Sequence, residues 1–298
     1  MRKSAFTLIE LIFVIVVMGI LSKFGVELLY QAYQSFIFSS INNSLQAQSA
    51  AAVETIASRL QYRIKDSIIA KQTDGNYQAL ASNTDLTAPI LEWIGADMDG
   101  FRGSSSTHPL WSGITDLDLS SQNVLVSPET NTTALNTLIG VLSPSATDIN
   151  DAALYFVGSD SDIQTDYGWS GALTTQNGAM HPIRSNGNIN QFVPINGQTE
   201  ADNNFSGVDV YEYYQLAWTA YAVGIADYNA TTKTGTLTLW YDYQPWKGDV
   251  YTNGTPVKLM DNVSTFRFRA VGSIVKIEVC VNSDLVEDYS LCKEKTVF

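Results

Sequence analysis

The sequence predicts an α+β fold in which a long N-terminal α-helix packs on a C-terminal antiparallel β-sheet, with a large loop-rich insertion between them. Three observations carry this. From Phe6 to Leu21, 13 of 16 residues are apolar, the exceptions being Thr7, Glu10 and Gly19. Behind that run, Ile41, Leu45, Ala52, Ile56, Leu60, Ile64 and Ile68 follow at spacings of 4, 7, 4, 4, 4 and 4, the stripe of one helix face. In the last third, apolar and polar residues alternate with the period of two that marks a strand covered on one face.

The N-terminal run comes first. As a helix rising 1.5 Å per residue, Phe6–Leu21 is about 24 Å long. Phe24, Val26, Leu28 and Leu29 extend its apolar side toward the thickness of a bilayer core. Arg2 and Lys3 precede it, so the positive-inside rule places the N-terminus in the cytoplasm and the bulk of the chain outside. Nothing after Leu21 makes a convincing small-x-small site, which argues against a secretory signal cut behind its apolar region. No proline occurs before Pro89. The pattern therefore reads as one helix of roughly 60 residues, on the order of 90 Å long, membrane-embedded over 6–29 and amphipathic over 30–71.

Residues 72–209 are rich in Ser, Thr, Asn, Asp and Gly and read as an acidic, loop-rich head region. Asn123–Val126 and Leu154–Val157 are its strand candidates. Residues 210–298 change character. Tyr214–Tyr221, Thr236–Tyr241, Phe266–Arg269 and Ile274–Val281 alternate, giving an antiparallel meander of about four strands with one face in need of cover. The helix stripe from Ile41 to Ile68 supplies that cover.

Charge follows the same division. The whole chain carries 17 basic and 30 acidic side chains, a net of −13. Residues 72–170 hold 13 of the acids and a single base, Arg102, whereas residues 1–71 are net positive. An acidic head without a basic run argues against binding nucleic-acid phosphates. Apolar content of 45% excludes a wholly disordered chain.

Arg2-Lys3-Ser4-Ala5, then Phe6-Thr7-Leu8-Ile9-Glu10, then the apolar run, resembles the start of a type IV prepilin or pseudopilin. The motif covers about 20 residues, and the long helix behind it fits the same family. The resemblance implies a leader, residues 1–5, cut between Ala5 and Phe6 by a prepilin peptidase, then N-methylation of Phe6. The family usually has Gly before the cut; Ala5, the next smallest residue, stands there. Cleavage removes Arg2 and Lys3, leaving side chains that sum to −15.

Glu10 is the one acid inside the apolar run, and an ionisable residue in a membrane helix marks function or a partner. The resemblance implies that it meets the Phe6 amine of a neighbouring subunit and sets register in a filament. A glutamate snorkelling to the cytoplasmic headgroups is the alternative. Farther on, Lys258–Phe268 (KLMDNVSTFRF), behind Leu239-Trp240-Tyr241 and Pro245, resembles the strand segment of J-type minor pseudopilins and W-type minor pilins. Arg59–Asp66 is a weaker match to the helix end of that group.

Four further features bear on chemistry. Cys280 and Cys292 form either a disulfide, in an oxidising compartment, or two free thiols; the resemblance implies a C-terminal disulfide loop. Asp160, Asp162 and Asp166, and separately Asp97-Met98-Asp99-Gly100, are either calcium-binding loops or solvated acidic turns. Calcium is the one cofactor that enters, and the solvated turn is the simpler reading. The aromatic residues Tyr211, Tyr213, Tyr214, Trp218, Tyr221, Trp240, Tyr241, Tyr243 and Trp246 make either a ligand platform or sheet core, with core the simpler reading. His108 and His181 each precede a proline, and no nucleophile elbow, phosphate loop or zinc-protease motif occurs, so no enzymatic activity is expected.

Together these imply a minor pilin or pseudopilin, a structural subunit of a type II secretion pseudopilus or a type IV pilus, near its tip. Expected partners are other pilin subunits, the prepilin peptidase, the inner-membrane assembly platform and the membrane itself. The expected location is the inner membrane, single-pass, with a periplasmic head, and then the filament. An alternative makes the enlarged head a tip adhesin or cargo-binding module.

Overall fold

The computed structural model describes residues 7–85, 87–103, 108–195, 204–286 and 289–298. It contains a long N-terminal apolar helix and two antiparallel sheets, an α+β architecture. Helix α1 runs Leu8–Leu60, 53 residues and about 80 Å. It ends well before residue 71. After Leu60 the Arg63 guanidinium donates to the carbonyls of Leu60 (2.8 Å) and Ser273 (2.9 Å), and the Ile64 amide donates to the Ile94 carbonyl (2.9 Å). The chain thereby leaves the helix and enters sheet β1 (Ile69–Lys71). Ile64 and Ile68 are buried as the stripe demands. They are buried from extended backbone, because a four-residue spacing specifies an apolar environment and not the helix that delivers it.

The larger sheet has eight strands. Its remaining members are β2 (Tyr77–Ala79), β3 (Ile90–Gly95), β10 (Thr219–Asn229), β11 (Thr234–Tyr241), β12 (Thr255–Val271), β13 (Ile274–Asn282) and β14 (Ser290–Val297), in the order β14-β13-β12-β11-β10-β3-β1-β2. Every pairing is antiparallel, with Phe266 opposite Val279 and Phe268 opposite Ile277. One face is covered by the last turns of α1: Ala52, Val53, Ile56, Ala57 and Leu60 pack with Met260, Phe266, Phe268, Ile277 and Val279. The other face is covered by an aromatic layer in which Tyr155, Tyr167, Trp169, Tyr243 and Trp246 pack on Ile69, Ile90 and Ile94.

The smaller sheet has six strands, β4 (Asp116–Ser121), β5 (Val124–Val126), β6 (Ala153–Phe156), β7 (Met180–Arg184), β8 (Gln191–Pro194) and β9 (Tyr214–Ala217), in the order β4-β5-β8-β7-β6-β9. Helix α3 (Thr132–Leu142) packs Leu135 and Ile139 into its core with Leu125, Leu154, Phe156 and Leu216. A short helix α2 (Met98–Arg102) follows β3. Among its described residues, region 72–209, expected to be loop-rich, builds seven strands and two helices. The candidates Asn123–Val126 and Leu154–Val157 fall on β5 and β6, whereas others such as Ile90–Gly95, buried at every position, lack the alternation that announces a strand. The expected single strand Tyr214–Tyr221 is divided at Trp218, its first half in the small sheet and its second in the large one. Gly168 ties the two layers together: a Cβ there would lie 2.4 Å from the Pro245 carbonyl group, so only glycine permits this approach of the insertion to the loop after β11.

Candidate functional site

The N-terminal half of α1 has no cover among the described residues. In its most apolar 18-residue window no residue is buried, and the helix is long and apolar enough to cross a membrane. Leu8, Phe13, Met18, Leu21 and Phe24 all stand outward. An exposed apolar surface of this extent has the length and composition of a membrane span or of an interaction surface.

Glu10 sits at the start of that surface. Its Oε2 accepts the Thr7 backbone N–H (2.9 Å) and the Thr7 hydroxyl (2.8 Å), closing the helix N-terminus. Thr7 was readable as the partner, since Thr-x-x-Glu ahead of an apolar run is the sequence form of this cap. One carboxylate oxygen takes both contacts. Ala5 and Phe6, the expected cleavage and methylation positions, lie outside the described residues.

At the other end of the chain, Cys280 and Cys292 form a disulfide between directly opposed positions of β13 and β14. The bond closes the hairpin on which the end of α1 rests. Beside it, Tyr289 donates to Asn42 Oδ1 (2.7 Å), and its ring meets Phe38 edge-on at 4.9 Å. Lys295 reaches Glu54 at 2.7 Å. These contacts bind the hairpin to the helix midway along its length.

The acidic trio does not assemble. Asp162 Oδ1 accepts the Gln164 N–H (2.8 Å), and Asp166 accepts from the Asp162 N–H and the Thr165 hydroxyl (both 2.7 Å). Both carboxylates close local turns, while Asp160 lies in a separate pocket. Among the described residues, three ligating side chains approach within 4.8 Å at Glu278, Cys280 and Cys292 alone, where both sulfurs are held in the disulfide. The second acidic pair is also divided. Asp97 caps α2 through the Gly100 N–H and accepts the Trp111 indole N–H, both at 3.1 Å; burial pushes its carboxyl up to about 6. Asp99 stays at the surface beside Arg59.

Most of the aromatic series is core. Tyr214, Trp218, Tyr243 and Trp246 are buried, whereas Tyr213 is exposed. His108 is exposed and His181, within β7, is buried. A polar cluster the sequence analysis missed lies beneath the large sheet: Lys71 Nζ stands 3.0 Å from Glu92 Oε1, and the Tyr243 hydroxyl donates to Glu92 Oε2 (3.1 Å). Burial raises the Glu92 carboxyl against the opposing pull of Lys71. A second missed centre is Asp242, whose carboxylate accepts from Ser143 and Thr147 hydroxyls (both 2.7 Å) and the Ser145 N–H (2.9 Å). The signal for Glu92 was a lone acid within ILEWIG, an otherwise apolar strand.

Compared with protein-family models, with curated proteins and with solved structures, the chain matches none.

Proposed function

We propose that this chain is a membrane-inserted subunit of a type IV pilus or a secretion pseudopilus, assembled through the N-terminal half of α1. The observation that carries this reading is the division of one continuous helix. Its last turns are buried on the chain's own sheet, while its first half presents a largely apolar surface against which none of the described residues packs. A leader with Arg2 and Lys3 ahead of Phe-Thr-Leu-Ile-Glu supports removal of residues 1–5, and Phe6 is then the methylated N-terminus. In a stack of such helices Glu10 exchanges its Thr7 contact for the Phe6 amine of the neighbouring subunit, which balances a charge that hydrocarbon disfavours. The head, on the periplasmic side, is then carried outward as subunits are added beneath it. As a J-like or W-like subunit it stands near the filament tip. Its second sheet, an addition to the sheet that α1 covers, favours a tip position with room for a ligand-binding face.

Intact mass and N-terminal sequencing of the chain from its native membrane test the proposal. A mature chain beginning at N-methylated Phe6 supports it, and a retained Met1 overturns it. Glu10→Ala is expected to remove the subunit from sheared filaments while the head keeps its melting temperature.

A further inference from the structure

Lys71 and Glu92 stand on the neighbouring antiparallel strands β1 and β3. Ile69 pairs with Glu92 and Lys71 with Ile90, so Lys71 and Glu92 are diagonal neighbours on one face of the sheet. That face lies under the aromatic layer that contains Tyr243. Glu92 is 0% exposed and Lys71 8%, so water is kept from both. Lys71 Nζ stands 3.0 Å from Glu92 Oε1, yet Oε1 has no aligned hydrogen bond among the described residues. The other carboxyl oxygen is held differently: the buried Tyr243 donates its hydroxyl to Oε2 at 3.1 Å. Lys71 Nζ also lies 5.6 Å from the centre of the Tyr251 ring. Among the described residues, no second carboxylate pairs with Lys71 and no second cation with Glu92.

An ion pair taken out of water recovers its desolvation cost only when its remaining polar atoms are hydrogen-bonded, and here one carboxyl oxygen is not. In its neutral form the same pair is an amine and a carboxylic acid at contact distance. Burial, which raises the Glu92 carboxyl, favours that form. A deprotonated lysine is a nucleophile toward acyl carbon, and fixing two reactants in contact replaces a very high concentration of either. We propose that Lys71 and Glu92 condense to an intramolecular amide that joins β1 to β3 covalently. The Lys71 amine adds to Glu92 Cδ, and the Tyr243 hydroxyl stabilises the negative charge that develops on Oε2. The Nζ–Cδ bond forms, the Cδ–Oε1 bond breaks, and Oε1 leaves as water with its own proton and one from Nζ. No electron is transferred and no co-reactant is consumed. The amide closes residues 72–91 into a covalent loop, and it does not depend on how the N-terminal helix is used.

The test is tryptic mapping by mass spectrometry of the full chain, folded in detergent and held at neutral pH for several days. Trypsin does not cut after an acylated lysine. The expected product is therefore the single peptide Asp66–Arg102, lighter by one water and giving no separated fragments from within residues 72–91. Asp74-Gly75 lies in the same peptide and can lose the same mass as a succinimide, so the digest is repeated after hydroxylamine, which opens a succinimide and leaves an amide. Lys71→Arg keeps the positive charge but offers no amine, and it should restore the full mass. Tyr243→Phe keeps the ring in the core and should slow the loss of water roughly 100-fold in freshly expressed chain. Recovery of unmodified Asp66–Lys71 as the main product, a loss of water that hydroxylamine removes or that persists in Lys71→Arg, or an unchanged rate in Tyr243→Phe would each overturn the assignment. Should Tyr243→Phe fail to fold, the map of the parent chain and Lys71→Arg still decide.

Discussion

Ile12 and Ile56 lie on one helix, and Ile12 is 53% exposed while Ile56 is fully buried. Around Ile56 the sheet strands β12, β13 and β14 supply Phe266, Ile277 and their neighbours. Around Ile12 the described residues supply nothing. The side chains are the same, so the difference lies wholly in what the tertiary structure brings to them. An apolar side chain left in water costs about as much as its burial would return, near 25 cal/mol for each Å². Under the proposed function the first half of α1 is covered by lipid or by other helices, and the head's stability is then expected to be independent of it.

The sharpest way to break that comparison is to remove the same kind of methyl groups from both ends. Leu60→Ala should lower the unfolding free energy of the head by about 3–5 kcal/mol, whereas Ile12→Ala should leave it unchanged. Denaturant unfolding in detergent, followed by tryptophan fluorescence, measures both. Equal effects would mean that the two halves of α1 unfold as one unit.

Asp97, behind the covered end of α1, gives a pH test. Its carboxyl titrates at about 6 in the folded chain against the usual 3.8, because burial disfavours the charged form. A raised folded-state pKa contributes stability that is complete below pH 4 and is lost as the pH rises through 6, about 3 kcal/mol in total. Asp97→Asn does not titrate there. Relative to that variant, the parent chain should lose about 3 kcal/mol between pH 4 and pH 7, and a pH-independent difference would refute the burial argument.

The disulfide addresses the hairpin that α1 rests on. Cys280→Ser with Cys292→Ser opens a short loop and should cost about 2–3 kcal/mol by chain entropy, read as a lower denaturation midpoint. The smallest effect is expected at the surface: Lys295→Ala removes an exposed ion pair with Glu54 and should cost under about 1 kcal/mol. A larger loss would show that the hairpin is held to the helix by charge more than by apolar packing.

Much of this contrast is visible in the residues alone. The apolar run, the stripe through Ala52, Ile56 and Leu60, and the alternation of Phe266–Arg269 and Ile274–Val281 all report local periodicity, and local periodicity names the face that will be buried. Of the small sheet only β5, β6 and β9 were legible, in Asn123–Val126, Leu154–Val157 and the first half of Tyr214–Tyr221; β4, β7 and β8 are short and carry no clear period. The end of α1 was not legible either, since Ile64 and Ile68 keep the spacing of the stripe after the backbone has left the helix. The Lys71–Glu92–Tyr243 cluster joins β1, β3 and the loop after β11, and Asp242 joins that loop to the segment after α3. No pattern along the chain brings such residues together.

By itself, then, the sequence determined that a long helix has two kinds of surface, that alternating strands follow, and that Arg2 and Lys3 stand ahead of an apolar run carrying Glu10. These are properties of neighbours in sequence, where side-chain period and charge act over a few residues. Only the tertiary structure decided where the helix stops, which strands share a sheet, that Glu92 and Lys71 meet out of water, and that Asp242 gathers Ser143, Ser145 and Thr147. Those depend on pairings between distant residues, each selected by packing and by the need to satisfy buried polar groups, and neither condition is written in a local repeat.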